Sequence, residues 1–266
     1  MAILIAVVGK SGSGKTSSIR NLDPKTTYYY NCDEKTLPFP DALKLYNEEN
    51  RNYNATKNLK MPSENATADV KKKSIPWSLI NVINKSPAKV IVFDTLNALM
   101  VDDVMNRMKE KGFDKWIDLA TIIYDFVRDC NKIETNKILV FMFHEESFLD
   151  DDGIRTRRIL TSGRKLSQIQ LETMFPIVLF SNAKGDGYNN EYVFETRARS
   201  STAKTPLGMF SDFEIPNDLD YVVKRVNEYY DIKQPKIKEE KSNGKGSSNQ
   251  HAGDSTEQVG AITEAN

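Results

Sequence analysis

Ile3-Leu4-Ile5-Ala6-Val7-Val8 is an unbroken apolar run rich in β-branched residues, the pattern of a strand buried on both faces. Val90-Ile91-Val92-Phe93 and Ile138-Leu139-Val140-Phe141-Met142-Phe143 repeat it. Thr26 to Cys32, with three consecutive tyrosines, is another β-rich segment, bounded by Asp23-Pro24 and Asp33-Glu34. Helical spacing separates these strands. Ser17 to Leu22 is helix-compatible, and Trp77, Ile80 and Ile83 share one helical face. A helical region runs from about Asp102 to Lys132, interrupted near Gly112, with Trp116, Leu119, Ile123, Phe126 and Val127 as its apolar stripe.

Toward the C-terminus the pattern changes. Asp150-Asp151-Asp152-Gly153 is a hairpin-turn signal before the basic run Arg155 to Leu160. Pro176 to Phe180 reads as a strand, and Asn189-Asn190 turns the chain into an antiparallel partner, Glu191 to Thr196. A last helix, Leu219 to Tyr230, takes Asn217 or Asp218 as its N-cap. The expected architecture is an α/β domain of three layers, with a mainly parallel sheet and a C-terminal antiparallel section. It spans residues 1–232. Within it, the polar region 35–74 holds only one short helical piece, Asp41 to Tyr46, and is expected to be a peripheral insertion over the sheet edge. Residues 233–266 are dominated by Lys, Glu, Ser, Gly, Asn and Gln, and are expected to be a disordered tail.

The chemistry begins where the first strand ends. Gly9-Lys10-Ser11-Gly12-Ser13-Gly14-Lys15-Thr16 is G-x-x-x-x-G-K-T between a strand and a helix-compatible segment, the context a phosphate-binding P-loop requires. Glycines let several backbone N–H groups turn inward onto phosphate oxygens, and the following turn, with Ser17, adds its positive end. Lys15 is expected to reach the β- and γ-phosphates of ATP, and the Thr16 hydroxyl to ligate Mg²⁺. Asp94, closing a buried strand, fits the Walker B aspartate that holds the Mg²⁺ shell. Hydrolysis also needs a carboxylate that orients water, yet the neighbour of Asp94 is Thr95. Adjacent parallel strands bring their carboxyl ends to one crevice, so Glu34 is the first candidate and Asp33 the second. His144 ends the strand after that and faces the same crevice, as a candidate sensor of the γ-phosphate.

These residues resemble the RecA-like branch of P-loop ATPases, in which the catalytic carboxylate follows the second strand. The order of pieces is similar to phage nucleotide-binding proteins with a minimal RecA core, including Sak-type single-strand annealing ATPases. The likeness rests on Gly9 to Thr16, Asp33-Glu34, Val90 to Asp94, the strand ending at His144, and Lys204 to Phe210. It implies an oligomeric ATPase acting on single-stranded DNA in recombination or replication. It also implies DNA-binding loops at Arg155, Arg157, Arg158, Arg164 and Lys165, whose spaced charges suit phosphate contact without base readout; with no aromatic residue between the arginines, a solvated hairpin is the alternative. In Arg197-Ala198-Arg199 and Lys204 it implies a finger, with Arg199 and Lys204 the better candidates, that reaches a neighbouring subunit's γ-phosphate.

Composition narrows the rest only slightly. Lys+Arg and Asp+Glu number 37 each, so bulk charge does not mark a polyanion-binding protein. Cys32 and Cys130, the two cysteines, suit reduced thiols in a cytosolic protein. No stretch has bilayer length and Met1-Ala2-Ile3 lacks a basic n-region, so a cytoplasmic location is expected. Two other functions share the same motifs: a P-loop kinase for a small molecule or nucleotide, and a nucleotide-gated binding module with little turnover.

Overall fold

In the computed structural model the apolar runs form the strands their pattern predicts. The structure describes residues 1–55, 79–80, 83–106, 108–109, 111–112, 114–133, 136–149, 153–161, 170–187 and 189–232. In chain order the strands are β1 (Ile3–Val8), β2 (Thr27–Asn31), β3 (Tyr53–Ala55), β4 (Val90–Asp94), β5 (Ile138–Phe143), β6 (Glu145–Leu149), β7 (Arg155–Ile159), β8 (Ile177–Lys184), β9 (Glu191–Glu195) and β10 (Glu214–Pro216). Eight of them form one sheet in the order β10-β9-β8-β1-β5-β4-β2-β3, and β6 pairs with β7 in a separate hairpin. From β3 to β8 every pairing is parallel. β8, β9 and β10 pair antiparallel, as expected for the C-terminal section.

Strand alternation sorts the core into two halves. Leu4, Ala6, Val8, Ile91, Phe93, Leu139, Phe141 and Phe143 pack on one face with Leu96, Leu99, Ile123, Phe126 and Val127. Those last five come from the helices Leu96–Asn106 and Asp114–Asn131. Ile5, Val7, Val90, Val92, Ile138, Val140 and Met142 face the other way, onto Ile19, Leu22 and the C-terminal helix residues Leu219, Val222 and Val226. Both faces of the central strands are therefore covered, which is why their sequences show no polar alternation. The three layers are those expected.

Several boundaries differ from expectation, for local reasons. After the phosphate loop only Thr16–Ile19 is helical, as a 3₁₀ turn. The Ser18 hydroxyl bonds to the Lys15 carbonyl, competing with helix growth, and Pro24 turns the preceding residue away from helical geometry. The helix following β4 starts at Leu96 rather than Asp102. Its first turn is nearly all apolar, so periodicity does not separate it from the strand. Asp41 to Tyr46 is helical over Ala42–Leu45. The insertion also supplies β3, a parallel edge strand beside β2, too short to show a period. Leu79 and Ile83 are buried, whereas Trp77 lies outside the described residues. The last helix is Leu219–Tyr229, capped by the Asp218 carboxylate accepting from the Asp220 N–H. Met1–Ile232 forms one unit; the expected tail, 233–266, lies outside the described residues.

Candidate nucleotide-binding site

Parallel strands end on the same side of a sheet, so the carboxyl ends of β1, β5, β4 and β2 form one crevice. The phosphate loop springs from β1, where the Gly9 N–H donates to the Phe143 carbonyl of β5 at 3.1 Å. Its shape requires glycine at two points. A Cβ on Gly9 would lie 2.7 Å from the Ser181 carbonyl oxygen, and Gly14 has φ +95° with the Tyr192 ring 2.8 Å from its would-be Cβ. The loop and the turn after it are anchored from behind by β8 and by Asn217, just before the last helix. The Ser181 hydroxyl donates to the Ser13 carbonyl at 2.6 Å, the Asn217 amide donates to Ser181 at 2.9 Å, and the Arg20 guanidinium donates to the Asn217 carbonyl at 2.7 Å. Lys10, Ser11 and Gly12, at the summit, are exposed, while Thr16 and Ser17 are half-buried below them.

Lys15 is buried, and its ammonium donates to the Gly9 and Lys10 carbonyls, each at 2.8 Å. Burial pulls its pKa down, against the attraction of Asp94, Asp33 and Glu145. Asp94 is buried too. Its Oδ2 accepts from the Thr16 hydroxyl at 2.6 Å and from the Tyr29 hydroxyl at 2.9 Å. Burial raises the Asp94 pKa, and these two hydrogen bonds oppose that rise. Its Oδ1 is buried without a hydrogen-bond partner.

That unpartnered oxygen tests the fit to Mg²⁺. A hard dication takes oxygen ligands, and Thr16 Oγ1 and Asp94 Oδ1 sit together with one of them uncommitted. Among the described residues no group of three or more His, Cys, Asp or Glu side chains forms a metal cage. The chain thus offers a partial oxygen shell of the kind a metal arriving with phosphates completes. The donor set fits Mg²⁺.

Asp33 extends the crevice from β2. Its Oδ1 accepts from the Thr95 hydroxyl at 2.8 Å, and its Oδ2 pairs with Lys35 at 3.0 Å. Burial would raise its pKa, but the bonds from Lys35 and Thr95 prevail and hold it low. Its charge acts on Lys15 and His144. Glu34 is placed differently: it is exposed, its backbone is left-handed at φ 54°, and its charge acts on Asp102 of the following helix. The two neighbours therefore face different surroundings, and Asp33 is the one drawn to the phosphate loop.

His144 stands at the end of β5, half-buried, with its pKa lowered by burial and by the Lys15 ammonium. Its backbone N–H donates to Asn97 Oδ1 at 2.7 Å, and the Asn97 amide donates to the Leu160 carbonyl at 2.7 Å. Asn97 thereby ties the two feet of the β6–β7 hairpin to the helix after Asp94.

The basic residues are distributed otherwise than the resemblance implies. Arg157 points inward, with 20 % of its side chain exposed. Its guanidinium donates to Asn182 Oδ1 at 2.7 Å and Glu195 Oε2 at 2.6 Å, and lies over the Phe180 ring. Arg158 donates to Glu146 at 2.8 Å and covers the Phe148 ring. Both arginines are engaged by carboxylates of their own chain, whereas the resemblance implies open phosphate contacts. Arg155 is exposed; Arg164 and Lys165 lie outside the described residues. Arg197 donates to the Phe210 carbonyl at 2.8 Å. Arg199 is exposed beside the Phe213 ring. Lys204 pairs through its backbone with Val178 of β8, level with Ala6 of β1, and its ammonium feels Glu172. Among the described residues, neither Arg199 nor Lys204 bonds to the phosphate loop. Tyr29, Asn97, Glu145, Ser181 and Asn217 escape sequence reasoning, because none belongs to a spaced motif.

The sheet order, the phosphate loop and the Thr16–Asp94 pair define a P-loop domain of RecA-like type. The chain belongs to the AAA domain family, whose sequence model matches residues 1–207. No curated protein matches it. Among solved structures it is similar to a KaiC-like protein from the hyperthermophilic archaeon Pyrococcus horikoshii OT3, at 10% identity and a TM-score of 0.48, over 80% of this chain and 84% of that one. It is also similar to the flagellar accessory protein FlaH from Methanocaldococcus jannaschii, at 15% identity and a TM-score of 0.43, over 80% of this chain and 83% of that one. No helix among the described residues is long and apolar enough to cross a membrane.

Proposed function

We propose that the protein binds Mg-ATP and hydrolyses it as an oligomer whose turnover responds to single-stranded DNA. The observation that carries the nucleotide chemistry is Asp94, buried beside Lys15, bonded to Thr16 through one oxygen and unpartnered at the other. Mg²⁺, when bound, would neutralise phosphate charge there. The loop N–H groups and Lys15 would hold the phosphates, Thr16 and Asp94 the metal, and a strand-end carboxylate would orient the attacking water. Geometry favours Asp33 over Glu34 for that last role, since Asp33 lies among Lys15, Thr95 and His144. Asp33→Asn should keep ATP binding and cut turnover by about a hundredfold, the size of a lost general base. Glu34→Gln should cut it less. Steady-state phosphate release and calorimetric binding on both variants check this; the reverse order returns the role to Glu34.

Action on DNA, and the setting in phage recombination or replication, rest on the resemblance alone. With Arg157 and Arg158 engaged internally, the strand contact would fall to Arg155 and its exposed surroundings. A finger from Lys204 or Arg199 would serve a neighbouring subunit's nucleotide. ATPase rates across a protein dilution series, with and without single-stranded DNA, test both ideas. Stimulation by DNA and activity that rises with protein concentration are expected. Phosphate transfer to an added acceptor would instead mark a kinase, and binding without turnover a nucleotide-gated module.

A further inference from the structure

Asp94 Oδ1 is useful to a metal only if the carboxylate is held in one orientation. Two hydroxyls bond its other oxygen, those of Thr16 and Tyr29. Thr16 is itself assigned to the metal, so its hydroxyl cannot serve as a fixed reference. Among the described residues Tyr29 is the remaining side-chain donor to Asp94. Its ring is held on several sides. It is 1% exposed, stacks on Tyr53 at 6.1 Å between centroids with planes 24° apart, and meets Tyr46 at 6.0 Å. Phe39 closes edge-on against Tyr46. The Tyr53 hydroxyl accepts from Asn31 at 2.9 Å, which locks that ring to β2. Phe39, Tyr46 and Tyr53 all come from the insertion, whose edge strand β3 pairs with β2 at Tyr29.

We propose that Tyr29 is the positioning residue of the Mg²⁺ site: its hydroxyl holds Asp94 through Oδ2 so that Oδ1 is presented to the metal, and the insertion is the buttress that fixes the ring. The proposal rests on the Mg-ATP reading above. It gives the described part of the insertion a task inside the site. Hydrogen-bond partners one step behind a metal ligand set its orientation, and their loss lowers metal affinity about ten- to a hundredfold.

Tyr29→Phe keeps the ring and removes only the hydroxyl. Tyr30→Phe is the control, since the Tyr30 hydroxyl is buried without a hydrogen-bond partner. Calorimetric ATP binding by the full chain, in excess Mg²⁺ and in a chelator, gives for each protein the factor by which Mg²⁺ tightens binding. For Tyr29→Phe that factor should fall about tenfold or more while chelator affinity stays within about twofold of the parent. Tyr30→Phe should leave both unchanged. A parental Mg²⁺ factor in Tyr29→Phe would overturn the proposal, as would an equal fall in both affinities, which is what a purely structural role predicts. A parent that binds ATP equally well with and without Mg²⁺ would overturn the Mg-ATP reading itself, and the proposal with it.

Discussion

Lys15→Ala is expected to lose between about thirtyfold and several thousandfold in Mg-ATP affinity, the range of about 2–5 kcal/mol for truncating one partner of a buried charge pair. The ammonium is buried within the loop and donates to the Gly9 and Lys10 carbonyls, so its charge is held at the place where phosphate is expected. Folding should survive the change. The Lys15 pKa is lowered in the folded protein, which means that the charged form is penalised by folding. That penalty is full below the folded-state pKa and fades as pH rises through it toward the higher unfolded value. Removing the ammonium relieves it, at the expense of two hydrogen bonds to loop carbonyls. Thermal unfolding without nucleotide should therefore stay near the parental midpoint at pH 7. Equal ATP affinity in a calorimetric titration would remove the phosphate loop from the account, and loss of the folded state would show that Lys15 acts structurally.

The second large effect is on stability. Arg157→Ala should destabilise the domain by about 3–5 kcal/mol, because it strands two buried carboxylates. Glu145 and Glu195 have side chains 3% and 5% exposed, at 3.5 and 2.6 Å from the guanidinium. Ser201 donates to the other oxygen of Glu195, so that carboxylate cannot swing to solvent without breaking a further bond. Arg157→Lys should recover only part of the loss, since a point charge cannot donate to Asn182 and Glu195 through one planar fork. Urea unfolding followed by circular dichroism measures both variants. A loss below about 1 kcal/mol would place the pair with exposed ion pairs and leave Arg157 free for an external phosphate.

The nucleotide loop, the four central strands and the crevice at their ends were legible in the chain itself. A short, β-branched apolar run bounded by polar or turn residues suits a strand covered on both faces, and parallel strands must end on one side. Asp94, Asp33 and His144 therefore meet Gly9 to Thr16 by topology, without any detail of packing. The C-terminal antiparallel section was legible for a similar reason, since its turn residues are local. What the tertiary structure decided involves partners far apart in sequence. Which of Tyr28, Tyr29 and Tyr30 faces Asp94 depends on strand phase against the sheet. Whether Asp33 or Glu34 turns to the phosphate loop depends on the backbone at the end of β2 and on Thr95. Arg157 reads as a solvent-facing charge in a basic run, yet its carboxylate partners include Glu195, and Asn182 and Phe180 complete its surroundings. Local spacing encodes periodicity and turns, because those arise from neighbouring backbone. A buried charge or a positioned hydroxyl is encoded only by the fold that brings distant residues within hydrogen-bond reach.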